Sequence, residues 1–154
     1  QAHEMNPNCA VTLAWLGLYE GFHGDAERGV PLAEAALRRS PRDPARGSLL
    51  AALGFAQFAV RNYDVAAQAA EAALAEAAGS ATPLILGTIA WIGAGRIDRA
   101  EAAFARVAEI APTLVEARLA GRWLTSNPDY LARAHTFFRI AAGLAPADAA
   151  RMLR

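Results

Sequence analysis

Three histidines and one cysteine are the side chains of this chain that could ligate a metal ion or act as nucleophiles. His3, His23 and His135 lie far apart, and no second histidine or cysteine follows any of them at the spacing of a helical turn. Protein metal sites need three or four clustered ligands. We therefore predict no metal site and expect the histidines to lie in a frayed end, a turn and a solvated helix face.

Cys9 is the only cysteine, so an intrachain disulfide is excluded and a reducing compartment is expected. No local nucleophile signature surrounds it, and we expect it to pack as a small hydrophobe. The segment Gly93-Ala94-Gly95-Arg96 is glycine-rich but follows a helical pattern. It is therefore interpreted as a turn and not a phosphate cradle. No triad or paired carboxylate is present, and we predict no catalytic residue, no cofactor and no enzymatic activity.

The charge balance argues against nucleic acid as a partner. Fifteen basic residues, all arginine, balance fifteen acidic ones, so no basic excess is available to neutralise phosphates. Arginine without lysine, together with many alanines, indicates GC-rich codon usage and a bacterial source. With the reducing compartment expected from the single cysteine, this predicts a cytoplasmic protein. The local cluster Arg38, Arg39, Arg42 and Arg46 either complements a helix dipole or docks on an acidic partner.

One uncharged stretch of 19 residues, 77–95, approaches the length of a membrane span. Gly79, Ser80 and Pro83 place a turn and a helix start inside it. About 13 residues of helix remain, roughly 20 Å, which is too short to cross a bilayer. We expect no membrane span, and interpret the stretch as an inner helix that is buried on all sides.

The elements that must position these residues form a repeat. Leu16-Gly17 and Leu53-Gly54 open two similar stretches, and the small residues Gly29 and Ala66 each follow the glycine by 12 positions. With Ala100 in a third copy, the marks Gly29, Ala66 and Ala100 lie 37 and then 34 residues apart. A period near 34 residues with two helices per copy predicts helix pairs that bury their apolar faces by stacking.

By this repeat the chain resembles the tetratricopeptide repeat family over about residues 8 to 146. The resemblance implies one all-α domain, a superhelix of stacked antiparallel helix pairs. Repeats are placed at about 10–43, 47–80 and 81–114, with capping helices at about 114–146. Start, stop and periodicity signals predict helices at about 9–22, a second ending at 39, then 45–60, 65–77, 83–94, 97–111, 114–124 and 129–143. Pro31 is expected to interrupt the second helix or to lie in its first turn.

The start of the sequence suggests a piece of a longer protein. Gln1 is not an initiating Met, and Asn6-Pro7 occupies the place that Ser40-Pro41 and Ala111-Pro112 hold at the close of later copies. We expect a preceding helix, and an apolar flank exposed on the first inner helix in this fragment.

A partner protein or peptide is the predicted ligand. The inner helices should line an apolar concave groove that binds a partner helix or peptide. Its predicted lining is Val11, Ala14, Leu18, Phe22, Ala51, Phe55, Phe58, Ile85, Ile89 and Ile92. Alternatively, another part of the chain covers this face, or a second copy does so in a homodimer. Some members of the family grip acidic peptide ends with lysine and asparagine; that device is missing, so no such binding is expected.

A narrower resemblance rests on short segments. The chain is similar in these segments to the carboxy-terminal repeat modules of bacterial adenylate cyclases and winged-helix regulators. The segments are the run Asn6-Pro7-Asn8, the run from Arg38 to Pro44, and the ending from Asn127-Pro128-Asp129-Tyr130 to Gly143-Leu144-Ala145-Pro146. This resemblance implies the alternative function of a regulatory or sensory arm.

Overall fold

Helices packed side by side make up the structure, a computed structural model that describes residues 9–154. These residues form eight α-helices and one 3₁₀ helix, and they contain no strand. The helices are α1 Ala10–His23, α2 Ala26–Arg39, α3 Arg46–Ala59, α4 Tyr63–Glu76, α5 Ala81–Gly93, α6 Ile97–Ile110, α7 Pro112–Leu119 and α8 Pro128–Ala141, and the 3₁₀ helix is Ala147–Ala150.

The first six helices stack as three pairs. α1 packs on α2, α3 on α4 and α5 on α6, and the first helix of each later pair also contacts both helices of the pair before it. Each pair thereby covers the apolar side of its neighbour, as in other helical repeats. The all-α fold of stacked helix pairs that the sequence predicts is confirmed.

The first pair is held close by the two glycines whose spacing marked the repeat. A Cβ atom on Gly17 would lie 2.7 Å from the carbonyl oxygen of Gly29, and one on Gly29 would lie 2.6 Å from the carbonyl oxygen of Gly17. Both separations are well inside van der Waals contact. The backbones of α1 and α2 therefore touch directly, which only residues without a side chain allow.

The uncharged stretch near the middle of the chain forms α5, which is 13 residues long. Every residue from Pro83 to Gly93 is buried, as expected for an inner helix enclosed by its neighbours. No helix in residues 9–154 combines the length and the apolar character that a membrane crossing requires. The turn that follows α5 contains Gly95 at φ +78°, so the glycine-rich segment is a helix-to-helix turn, as predicted.

Four helices end in the same motif, in which the last turn is closed by two backbone hydrogen bonds. After α5, the amides of Gly95 and Arg96 donate to the carbonyls of Ile92 and Trp91. The ends of α7 and α8 repeat this pattern with glycine, but α3 has Arg61 at φ 64°. A side chain in this left-handed region costs roughly 1–2 kcal/mol, so Arg61 needs a compensating contact.

Two helices differ from their predicted form. Pro31 neither interrupts α2 nor lies in its first turn, because the helix continues through it. Both Pro31 and Glu27 are exposed, so water can satisfy the carbonyl that the missing N–H leaves free. The seventh helix ends at Leu119 instead of near 124, because Gly121 at φ +81° closes its last turn.

The last two helices depart from the stacking of the first six. α7 packs on α6, and α8 packs on α5. The predicted start of α8 is confirmed: the Asn127 side chain accepts hydrogen bonds from the amides of Asp129 and Tyr130, and Pro128 takes the first helical position. α8 therefore lies against the inner helices of the stack.

We predict that Gly17→Ala destabilises the protein by about 2 kcal/mol, because the added methyl group pushes α1 and α2 apart. Gly21→Ala in the same helix is the matched control. Its Cβ would lie 3.5 Å from Ala56 Cα and 3.6 Å from Ala59 Cβ, so the helix propensity of alanine should stabilise it by up to about 1 kcal/mol. Urea unfolding of the variants measures both effects, and equal changes would contradict the close-contact role of Gly17.

Candidate binding surface on the inner face

The ten residues predicted to line the groove differ in exposure. Leu18 and Phe22 are half-buried and Val11 is 40% exposed. The other seven are buried: Ala14, Ala51, Phe55, Phe58, Ile85, Ile89 and Ile92. The accessible part of this face is therefore concentrated on α1.

The side chains of α8 cover the inner face at α3 and α5. Phe58 of α3 packs edge to face on Tyr130 and Phe137, with ring centroids 5.2 and 5.9 Å apart. Ile89 and Ile92 of α5 belong to the same buried cluster. The sequence left open whether a partner, another part of the chain or a second copy covers the inner face. At α3 and α5 another part of the chain, α8, covers it.

A buried arginine attaches α8 to the end of α3. Arg133 is 0% exposed. Its Nη1 donates to the Phe58 carbonyl at 2.7 Å, its Nη2 to the Ala59 carbonyl at 2.9 Å and its Nε to the Asp129 carboxylate at 3.0 Å. The two carbonyls belong to the last turn of α3, where the helix dipole favours a cation. Arg133 was not among the residues predicted from the sequence, where its only signal is the i, i+4 spacing from Asp129.

Asp129 also provides the contact that Arg61 needs. The Arg61 guanidinium donates to both carboxylate oxygens of Asp129, at 2.6 and 3.1 Å. Burial acts to raise the pKa of Asp129, but the hydrogen bonds and charges of Arg61 and Arg133 outweigh it, so this pKa lies below its usual value. One carboxylate thus links the turn after α3 to α8.

Beside α1 the inner face stays open and forms a pocket of about 220 Å³. α1, α3 and α5 form one wall, and α7, α8 and the loop between them form the other. The lining residues are Trp15, Leu18, Phe22, Phe55, Thr82, Ile85, Leu114, Arg118, Trp123, Leu124 and Tyr130. Trp15 and Leu124 are 67% and 68% exposed, so they form the rim. Five of the lining residues are aromatic, and the pocket can hold an apolar group.

The loop that closes this pocket is attached to the end of α1. The Thr125 hydroxyl and the Ser126 amide both donate to the Phe22 carbonyl, at 2.7 and 3.2 Å. His23 Nδ1 lies 2.9 Å from Ser126 Oγ. These bonds bring α7 and α8, the fourth helix pair, into contact with the first pair, α1 and α2. No local sequence pattern indicated this contact.

The residues considered first for chemistry are dispersed. Cys9 is half-buried at the start of α1, His23 is exposed at its end, and His3 lies outside the described residues. His135, predicted to be solvated, is half-buried with Nε2 2.9 Å from the Leu119 carbonyl oxygen. From Cys9 onward, no three His, Cys, Asp or Glu side chains are grouped so that they could hold a metal ion.

The arginine cluster lies at the end of α2 and the start of α3. Arg38 and Arg46 each lie 3.7 Å from a carboxylate, that of Glu34 and that of Glu76 respectively. Two of the four charges are thus paired within the chain, which favours the local role over docking to an acidic partner.

No protein-family model matches the chain, and no curated protein matches it significantly. The tetratricopeptide assignment and the narrower resemblance to regulator modules therefore stay predictions from the residues. The helix packing, the pocket beside α1 and the exposed side chains of α1 are the observations on which a function can be proposed.

We predict that Arg133→Met destabilises the protein by about 3 kcal/mol. The variant leaves the Ala59 carbonyl without its donor, removes one of the two donors to the Phe58 carbonyl and leaves Asp129 without its buried partner. Arg106→Met, at an exposed position of α6, should change the free energy of unfolding by less than about 0.5 kcal/mol. Urea unfolding of the two variants provides the measurement. A loss in Arg133→Met no larger than in the control would show that the buried guanidinium does not hold α8.

Asp129→Asn tests the ion pairs by their pH dependence. The pKa of Asp129 is lower in the folded protein than in the unfolded chain, where it is about 4. The ionised carboxylate therefore stabilises the fold above about pH 4. This stabilisation is lost as the pH falls through the pKa of the folded state. We expect the variant to be less stable by about 1 kcal/mol at pH 7, a value limited by solvent screening, and the difference to shrink toward pH 2. Asp98→Asn at an exposed site is the control, and a constant difference across this range for Asp129→Asn would contradict the assignment.

Proposed function

We propose that this chain is a protein-interaction module of the tetratricopeptide type, which binds an amphipathic helix of a partner protein along α1 in the bacterial cytoplasm. The observation that carries the proposal is the exposure of Trp15 and Tyr19, 67% and 59%. With Val11, Leu18 and Phe22 they lie on one side of the helix, and we call these five residues the α1 stripe. Glu20 is the only acidic or arginine residue in α1.

Exposed aromatic side chains in one row are typical of interaction surfaces. Each buries 150–250 Å² when a partner covers it, and tryptophan and tyrosine are enriched among the residues that dominate binding energies. An apolar patch that remains exposed on a folded domain costs solubility, so it usually has a binding role. The α1 stripe fits this description.

The shape beside the stripe favours a helix as the occupant. A shallow depression of about 60 Å³ runs between α1 and α3, lined by Val11, Ala14, Trp15, Leu18, Leu49 and Ala52. Its lining includes the small residues Ala14 and Ala52 and the exposed Trp15. A partner helix with apolar residues at i, i+3, i+4 and i+7 can place one side chain there and cover the stripe with the others.

The regulatory or sensory arm is the second candidate function, and the pocket behind the stripe favours it because a sensor needs a ligand site. Homodimerisation through the stripe is the third, and the experiment below separates it from partner binding.

Selection from a displayed library of amphipathic helical peptides tests the proposal. We expect selected peptides to carry the i, i+3, i+4, i+7 apolar pattern and to lose at least about tenfold in affinity for Trp15→Ser. Ile110→Ser on α6, where Ile110 is 45% exposed, is the matched control and should bind normally.

Light scattering over a range of concentrations is run on the same proteins. A wild type that dimerises and a Trp15→Ser variant that stays monomeric would identify a second copy as the occupant and overturn the partner-helix proposal. A monomeric wild type from which no helical peptide is selected would overturn it as well.

A further inference from the structure

Two of the side chains that line the pocket beside α1 each have a buried polar atom that the protein leaves without a partner. The Tyr130 hydroxyl and Arg118 Nε are both buried and make no hydrogen bond. Across residues 9–154 only three buried side-chain polar atoms lack a partner, and two of them belong to residues that line this one pocket. An unsatisfied buried group costs about 1–3 kcal/mol, so its retention requires an explanation.

The positive charge of Arg118 is not neutralised within the described part of the chain. Its Nη1 donates to the Arg122 carbonyl, and its guanidinium lies 5.2 Å from the centre of the Trp123 ring. No carboxylate of residues 9–154 forms an ion pair with it. Burial lowers the pKa of Arg118, the direction expected for a cation that is partly removed from water and has no counterion. Arg133, by contrast, is buried with Asp129 as its counterion.

The other side chains that line the pocket are mostly apolar and favour a flat apolar group. Phe22, Phe55 and Ile85 line the side formed by the inner helices, and Trp123 lines the opposite side. The volume of about 220 Å³ exceeds the 150 Å³ of an apolar protein cavity that binds benzene. An aromatic ring with a short polar extension, about ten non-hydrogen atoms in all, matches this space.

We propose that the pocket binds a small aromatic monocarboxylate whose ring lies among Phe22, Phe55 and Ile85 and whose carboxylate accepts hydrogen bonds from Arg118 and Tyr130. Such bonds from a guanidinium and a phenol are charge-assisted and roughly twice as strong as neutral ones. Burial raises the pKa of Tyr130, so its hydroxyl keeps the proton that it donates. The ligand would supply both missing partners and the missing counterion, and this proposal does not depend on the partner helix.

Calorimetric titration with 3-phenylpropanoate tests the site, and we expect a Kd of about 10–100 μM. The neutral 3-phenylpropanamide should bind at least about tenfold more weakly because it cannot neutralise Arg118. Octanoate, which carries the same charge on an aliphatic chain, should also bind more weakly. Amide binding equal to that of the acid would overturn recognition of the carboxylate, and tighter octanoate binding would overturn the choice of an aromatic ligand.

Tyr130→Phe separates binding from folding. Because the hydroxyl makes no hydrogen bond within the protein, its removal should leave the melting temperature unchanged or higher. The affinity for 3-phenylpropanoate should fall by about tenfold. Arg118→Met should weaken binding at least as much, and Arg106→Met outside the pocket should not change it. An unchanged affinity in Tyr130→Phe, or no binding of either acid to the wild type at millimolar concentration, would overturn the proposal.

Discussion

The guanidinium of Arg133 joins the last helix to the carboxyl end of α3, and the arrangement of the inner face depends on it. It donates to the carbonyls of Phe58 and Ala59 and pairs with Asp129. A buried arginine is costly unless every donor finds an acceptor. The end of α3 provides acceptors in a geometry that one position of α8 satisfies, so a polar contact fixes how an otherwise apolar interface is aligned.

Asp129 extends this contact to the turn after α3. The comparable turns after α5, α7 and α8 contain glycine at positive φ, whereas the turn after α3 contains Arg61. The strain of that backbone is offset by the two hydrogen bonds to Asp129. The irregular residue and the buried cation are thus parts of a single network that attaches the fourth helix pair to the second.

Closure by α8 decides which surfaces remain available. Covering α3 and α5 leaves α1 as the exposed part of the inner face, together with the pocket enclosed by α7 and the loop before α8. The α1 stripe and the pocket share Trp15, Leu18 and Phe22. A ligand in the pocket and a helix on the stripe would therefore contact the same side chains, so the proposed partner binding and the alternative sensory role would depend on the same part of α1.

The sequence by itself determined the helix pairs and the turns within them, because these depend on local periodicity, capping residues and the repeat spacing. Gly17 and Gly29 were recognisable as marks of the repeat, and the structure adds that their backbones touch. Only the tertiary structure decided which part of the predicted groove is covered and which part stays accessible. Phe58 was predicted to line the groove, but α8 covers it with Tyr130 and Phe137, and Arg133 of the same helix bonds to the Phe58 carbonyl, 75 positions away. An isolated arginine in a helix is usually solvated, and neither this contact nor a pocket assembled from five helices and a loop has a signature in local pattern.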